Sequence, residues 1–363
     1  MRRLVKLILL MALLVVGGCA YLPTAPPLID RIDNPASDNL LENPEPAMEV
    51  ADDRKENIGT EGDDLNLTED KGADLPDKEV IPSNSPEISL LVTRDFGQGL
   101  IFNQRIAFGE NDSLLNLMEE HLDIATSYGG SFISGINGIK MTSGAKKSDW
   151  FFYINGIASH SGLRDYELRA RDKIMWDYHY WSAASSNNAI IGQYPAPFLQ
   201  GYRGTNKPTN IISDEGNVIL AEKLALSLQN AGVVVKVNRL SNTSINEEPT
   251  IVIGQWSNLA TNDFLQGINK RYQKNGLGVH FLEEGLDLLD FDGRLVKSVT
   301  SDSAVIVAWG RSLGDDSPIW FIVGTDEKAL TKAVELLMGQ AESIAGLYGL
   351  ALLPEGNIPL PLN

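Results

Sequence analysis

Between Asp149 and Trp181 the chain reads DWFFYINGIASHSGLRDYELRARDKIMWDYHYW, although aromatic residues make up only 7% of the whole. Trp, Tyr and Phe offer large, stiff contact area with polar tips, the chemistry of stacking against a flat ligand. Asn155-Gly156 favours a tight turn and lets backbone approach a bound molecule closely. The residues that would carry such contacts are Trp150, Tyr153, Asn155, Gly156, Tyr166, Trp176 and Tyr178. Catalytic chemistry has thinner support. The chain has no G-x-S-x-G, no H-E-x-x-H, and one cysteine, Cys19, close to the start. Its four histidines stand scattered at positions 121, 160, 179 and 280. His179 and His160 lie near the aromatic run, yet no His/Cys/carboxylate spacing there matches a stable metal site. An aromatic strand histidine is more often packed or hydrogen-bonded than a ligand. A pair of glycosidase carboxylates need only meet in space, so sequence alone does not find one. The expectation is a binding protein with no required cofactor rather than an enzyme.

Those rings need strands to hold them. Trp150 to Ile154 and Ile174 to Trp181 are rich in aromatic and β-branched residues and read as strands. Alternation puts Trp150, Phe152 and Ile154 on one face and Phe151, Tyr153 and Asn155 on the other. Trp176, Tyr178 and Tyr180 oppose Met175, Asp177 and His179. About half of these rings must be core, and the tyrosines are the better choices for an exposed rim.

Around that pair, Ile88–Thr93 and Leu100–Phe108 read as a hairpin. A helix follows from Ser113 to Leu122, with Asn111 or Asp112 as its cap, and then a strand from Phe132 to Ile139. Residues 87–185 are therefore expected to form an α+β domain, with one helix across an antiparallel sheet. Residues 187–363 alternate buried strands with helices and are expected to form an α/β domain. Its strands are Ala189–Gly192, Thr209–Ile212, Val233–Val237, Thr250–Gly254, Ser303–Trp309 and Pro318–Val323. Its helices are Glu215–Ala231, Asn262–Tyr272 and Asp326–Gly339. Val279–Leu289 and Arg294–Thr300 flank an Asp292-Gly293 turn. Two strand-to-helix junctions, Ile253 to Asn258 and Val323 to Asp326, carry Gly and a capping residue where ligands favour open α/β sheets. Neither is a phosphate loop.

Composition bounds the rest. A formal charge of -18 argues against nucleic acid, which requires a basic surface. Arg2, Arg3 and Lys6 precede an apolar run from Leu7 to Val16 that is too short to span a bilayer permanently. Val16-Gly17-Gly18-Cys19 then resembles the lipobox of bacterial lipoproteins. That resemblance implies a signal peptide over residues 1–19 and lipidation (a palmitate-type anchor) at Cys19. The protein would then sit on the extracytoplasmic face of a bacterial membrane. Residues 20–86 are proline-studded and acidic, with eighteen Asp and Glu against five Lys and Arg from Ala20 to Glu87. Such a stretch buries too little apolar surface to offset ordering entropy and is expected to be a disordered tether.

Over about a hundred residues, the order of elements and several motifs resemble the C-terminal β-domain of transcobalamin and intrinsic factor, and the transcobalamin-like domains of bacterial surface proteins. Trp150-Phe151-Phe152-Tyr153-Ile154-Asn155-Gly156 follows the W-x-x-Y-x-N-G pattern of the bacterial members. Gly162-Leu163-Arg164-Asp165-Tyr166 follows the G-x-x-D-Y of the animal ones. Arg171 departs from the Gly that precedes Asp in the bacterial pattern. The resemblance implies capture of a corrinoid such as cobalamin, or another flat small molecule, and its transfer to a membrane importer. Two alternatives stand beside it. One is a surface adhesion or structural module that binds protein or glycan; the other is a wall-modifying hydrolase in the α/β part.

Overall fold

Ile88, Leu90 and Val92 are buried on one side of their strand, while Leu91 is buried on the other. That pattern requires a sheet covered on both faces, and the computed structural model, which describes residues 85–240, 245 and 247–363, has one. The leader, Cys19 and nearly all of the acidic stretch lie outside the described residues.

The first part of the chain runs β1 (Glu87–Arg94), β2 (Gly99–Ala107), α1 (Leu114–Glu119), β3 (Ile124–Ser127), β4 (Phe132–Ile136), β5 (Ile139–Lys140), β6 (Ser148–Ile154), β7 (Ile157–Ala158) and β8 (Lys173–Tyr180). Five of these strands form a sheet in the order β2-β1-β8-β6-β7, and β3-β4-β5 form a small second sheet. The expected antiparallel sheet needs one correction. β1 and β8 run parallel, because β8 returns to the sheet centre after a long crossover through α1 and the small sheet. The helix begins one residue later than the expected caps. Ser113 is the N-cap, and its hydroxyl accepts from Asn116 N–H. Leu114, Leu117 and Met118 of α1 pack with Ile88, Leu90, Trp150 and Trp176 on one face of the sheet.

The chain continues with α2 (Ala196–Leu199), β9 (Thr209–Ser213), α3 (Val218–Asn230), β10 (Val235–Arg239), β11 (Thr250–Gly254), α4 (Trp256–Leu259), α5 (Asp263–Asn269), β12 (Val279–Leu282), β13 (Gly285–Leu289) and β14 (Leu295–Val299). It ends with β15 (Ala304–Trp309), β16 (Ile319–Gly324), α6 (Glu327–Gly339), β17 (Gly349–Leu353) and β18 (Gly356–Leu360). Seven strands form one sheet, β10-β9-β11-β16-β15-β17-β18, whose first four are parallel and whose last three join antiparallel. Along β16 the side chains alternate between two cores. Trp320 and Ile322 face α3 and α6, while Ile319, Phe321 and Val323 face the β12-β13-β14 meander.

Three expectations for this half are corrected. Ala189–Gly192 contributes only an isolated bridge from Ala189 to Ile157. Val233–Val237 is not a fully buried strand; β10 starts at Val235 and is a half-exposed edge. β17 and β18 were not anticipated, since prolines at 354, 359 and 361 obscure the pattern, and an edge strand tolerates proline. Among the described residues, no helix is long and apolar enough to cross a membrane.

Candidate functional site

β6 and β8 pair in antiparallel register from Ser148↔Tyr180 to Ile154↔Ile174, which places the aromatic run at the middle of the first sheet. Asn155 and Gly156 both have positive φ, 50° and 80°, and connect β6 to β7 as a two-residue hairpin turn. The Asn155 side chain is fully committed inside the protein. Its Nδ2 donates to Asp172 Oδ1 (2.7 Å) and to the Gly201 carbonyl (2.9 Å), and its Oδ1 accepts from Lys173 N–H (2.8 Å). Gly156 N–H donates to the Gln193 side chain, and a Cβ at Gly156 would press on Pro197 and the Ile190 carbonyl. The Tyr166 hydroxyl donates to Asp172. Burial raises the pKa of Asp172, against the pull of its hydrogen bonds from Tyr166 and Asn155. Burial and the neighbouring Asp172 carboxylate raise that of Tyr166. Asn155, Gly156 and Tyr166, three of the expected contact residues, therefore form a latch between the first sheet and the 193–201 segment.

A second buried network lies on the opposite side of β8. Asp177 accepts from Thr93 Oγ1 (2.6 Å), Phe96 N–H (3.1 Å) and Gly97 N–H (2.9 Å), and lies 2.6 Å from His179 Nδ1. Tyr348, just before β17, donates to the Tyr153 hydroxyl at 2.9 Å. Burial raises the pKa of both tyrosines. The His179 ring is stacked between Phe96 and Phe151, at centroid distances of 4.0 and 3.8 Å. A carboxylate–imidazole pair serves as a general base only when its second nitrogen faces a reacting group. Here Nε2 is buried with no partner among the described residues. The network joins the two sheets, and the tyrosine expected at the rim, Tyr153, is among the most deeply buried side chains.

The opening lies at an edge of the sheet instead of on a face. β7 is only two residues long and pairs with Tyr153 and Ile154, so β6 from Asp149 to Phe152 has no strand partner on that side among the described residues. There a groove of about 510 Å³ runs between β4, the 158–163 loop and Trp181. Phe151 and Phe152 are half-buried in its wall, and the Phe151 ring lies 5.0 Å from that of Trp181. Phe132, Trp181 and Leu313 reach into it from exposed positions, Trp181 at 55% exposure. At one end the aromatic wall meets hydroxyls and an imidazole. Ser159 Oγ and His160 Nδ1 each lie 3.1 Å from the Tyr202 hydroxyl. Lys147 stands over the Trp181 ring and pairs with Asp149 at 3.2 Å. An apolar wall with a few convergent polar groups is the usual make-up of a small-molecule site, and the volume falls within the usual range of about 300–1,000 Å³.

Of the expected contact residues, Trp150, Tyr153 and Trp176 touch this groove from behind. Tyr178 does not: it packs on Trp150 and donates to the Lys140 carbonyl. Phe132, Phe151, Ser159 and Trp181 were missed. Trp181 closes the aromatic run, one residue beyond the end of β8, where strand alternation no longer assigns a face. Of the two nearby histidines, only His160 reaches the groove. Among the described residues, no group of three His, Cys, Asp or Glu side chains is placed to hold a metal ion.

The two glycine junctions of the second sheet do come together, at the C-terminal ends of the adjacent parallel strands β11 and β16. Gln255 Nε2 donates to the Thr325 carbonyl at 3.0 Å beside a cavity of about 280 Å³. The helix end there is already occupied. Asp326 caps α6 by accepting from Ala329 N–H at 2.9 Å and also takes Asp302 N–H at 2.7 Å.

Residues 111–180 match the family model DUF4430, a domain of unknown function. The match runs from α1 to β8 and so includes most of the groove. No curated protein matches the chain. Among solved structures, a crystal structure of a candidate metal binding protein from Ruminococcus gnavus ATCC 29149 is similar to it. That likeness is at 14% identity over 27% of this chain and 99% of the other, with a TM-score of 0.22. An overlay of that extent carries no argument about fold or ligand.

Proposed function

We propose that this chain is a binding protein that holds a flat small molecule in the groove at the open edge of β6, displayed outside the cell on a lipid anchor at Cys19. The observation that carries the reading is the exposed pair Phe132 and Trp181, which with Phe151 line a groove that has a hydroxyl-rich end. Exposed rings cost solvation unless something covers them, and they stack best on flat partners. The resemblance of residues 87–185 to transcobalamin-like domains supports a corrinoid as the ligand, with delivery to a membrane importer.

The test is a visible-spectrum titration of the full-length protein with cobalamin. The expected result is a saturable spectral change at micromolar protein. A flat response up to high micromolar cobalamin would remove the corrinoid. Binding of a glycan at the same groove would then support the second reading, an adhesion module, which the Ser159, His160 and Tyr202 cluster favours because sugars require both a ring to stack on and hydroxyl partners.

A further inference from the structure

A second hollow, of about 680 Å³, lies at the far end of the first sheet, between β1, β2, the start of β8 and α2. Its floor is set by register. Ser89 of β1 pairs with Arg105 of β2 on one side and with Lys173 of β8 on the other. Directly paired residues share a face, so the three side chains form one row across the sheet. Strand spacing sets Arg105 and Lys173 about 10 Å apart at their Cα atoms. The small Ser89 between them leaves the middle of the row empty. Arg171, held at a φ of 71° just before β8, lines the same hollow. Three cations thus converge on one hollow in a chain with 48 acidic and 30 basic residues.

None of the three has a carboxylate within 4.0 Å among the described residues. Among the described residues, the Lys173 ammonium donates to the Tyr194 carbonyl, at 2.8 Å. Burial draws its pKa below the ordinary lysine value; Glu342 opposes that shift, and Arg105 adds to it. Glu87 also lines the hollow. Arg105 and Arg171 are exposed and Lys173 is half-buried, and like charges gathered without a paired carboxylate are stabilised by an anion. Two guanidinium forks and an ammonium match an oxyanion that presents several oxygens.

We infer that the hollow bounded by Arg105, Ser89, Arg171 and Lys173 is an oxyanion site that takes a phosphoryl group, separate from the aromatic groove. The source is a soluble phosphate ester or a phospholipid headgroup.

The experiment is calorimetric titration of the full-length protein with pyrophosphate at low and high salt. Expected is saturable binding that weakens as salt rises. Arg105→Gln should weaken it at least fivefold and Arg105→Gln/Lys173→Met at least twentyfold, while Glu87→Gln tightens it. Arg105 is exposed on β2, so its variant should keep the wild-type melting temperature and report on the site alone. Sedimentation with phosphatidylglycerol and phosphatidylcholine vesicles then separates the sources. Binding to the anionic vesicles that pyrophosphate displaces assigns a headgroup, and pyrophosphate binding without vesicle binding assigns a soluble ester. No heat with pyrophosphate, or equal affinity in wild type and the double variant, would overturn the inference.

Discussion

The two large sheets differ in where their buried polar groups sit: those of the seven-stranded sheet gather around Asp214 at the end of β9, those of the five-stranded sheet behind the groove wall. The seven-stranded sheet buries Ile, Val, Phe and Trp on both faces, and Trp320, Phe321 and Ile322 of β16 are wholly inside. The five-stranded sheet buries Asp172, Asp177, Asn155 and His179 and leaves rings at its edge. An apolar sheet needs only shape to be stable, whereas buried polar groups are tolerated when every partner is present. The polar networks fix the β6–β7 turn and the position of β8 against β17, and so fix the groove wall. The contrast teaches that the first sheet specifies its geometry through buried polar partners where the groove is built.

The comparison can be broken by substitution. Asp177→Ala leaves Thr93, two backbone N–H groups and His179 without their acceptor, and should destabilise by about 3 kcal/mol in chemical denaturation. A loss under 1 kcal/mol would show that the network is not structural. Asn155→Ala also removes a residue suited to positive φ, and should cost about 2 kcal/mol by the same measurement. In the second sheet a smaller polar contribution is the cap at the end of β16. Asp326→Ala should cost about 1 kcal/mol, because α6 loses the acceptor of Ala329 N–H.

The smallest effect is a pH dependence. Burial holds the pKa of His280 below its ordinary value of 6.5, with Asp287 pulling it back up. The unfolded chain therefore takes up that proton first as pH falls through about 6.5, so the folded state loses stability over that window. Melting temperatures at pH 7 and pH 5.5 should fall further apart in the wild type than in His280→Gln.

Much of this architecture was legible in the sequence. Period-2 runs of β-branched and aromatic residues marked β1, β2, β6, β8, β11, β15 and β16, and Asn155-Gly156 marked its turn. The helix expected to end at Ala231 does close there, with Gly232 following it at a φ of 98°. Long-range pairing was not legible. The parallel neighbourhood of β1 and β8 depends on a crossover of about eighty residues, and no local pattern encodes it. The expected contact residues divide: Trp150, Tyr153 and Trp176 line the groove, and Asn155, Gly156, Tyr166 and Tyr178 do not. Strand alternation offers two faces, but both are covered, one by α1 and the other through Tyr348. The opening arises because β7 is too short to cover β6, a feature of the whole sheet and not of any residue.

The central claim is that the β6 edge groove, and not a sheet face, holds the ligand. Trp181 tests it most directly, since it is exposed and its loss should leave stability within about 0.5 kcal/mol. The measurement is the dissociation constant for cobalamin in wild type and Trp181→Ala, with melting temperature as the control. The account predicts micromolar binding that weakens at least tenfold, about 1.4 kcal/mol, at an unchanged melting temperature. Equal binding by both proteins would contradict it.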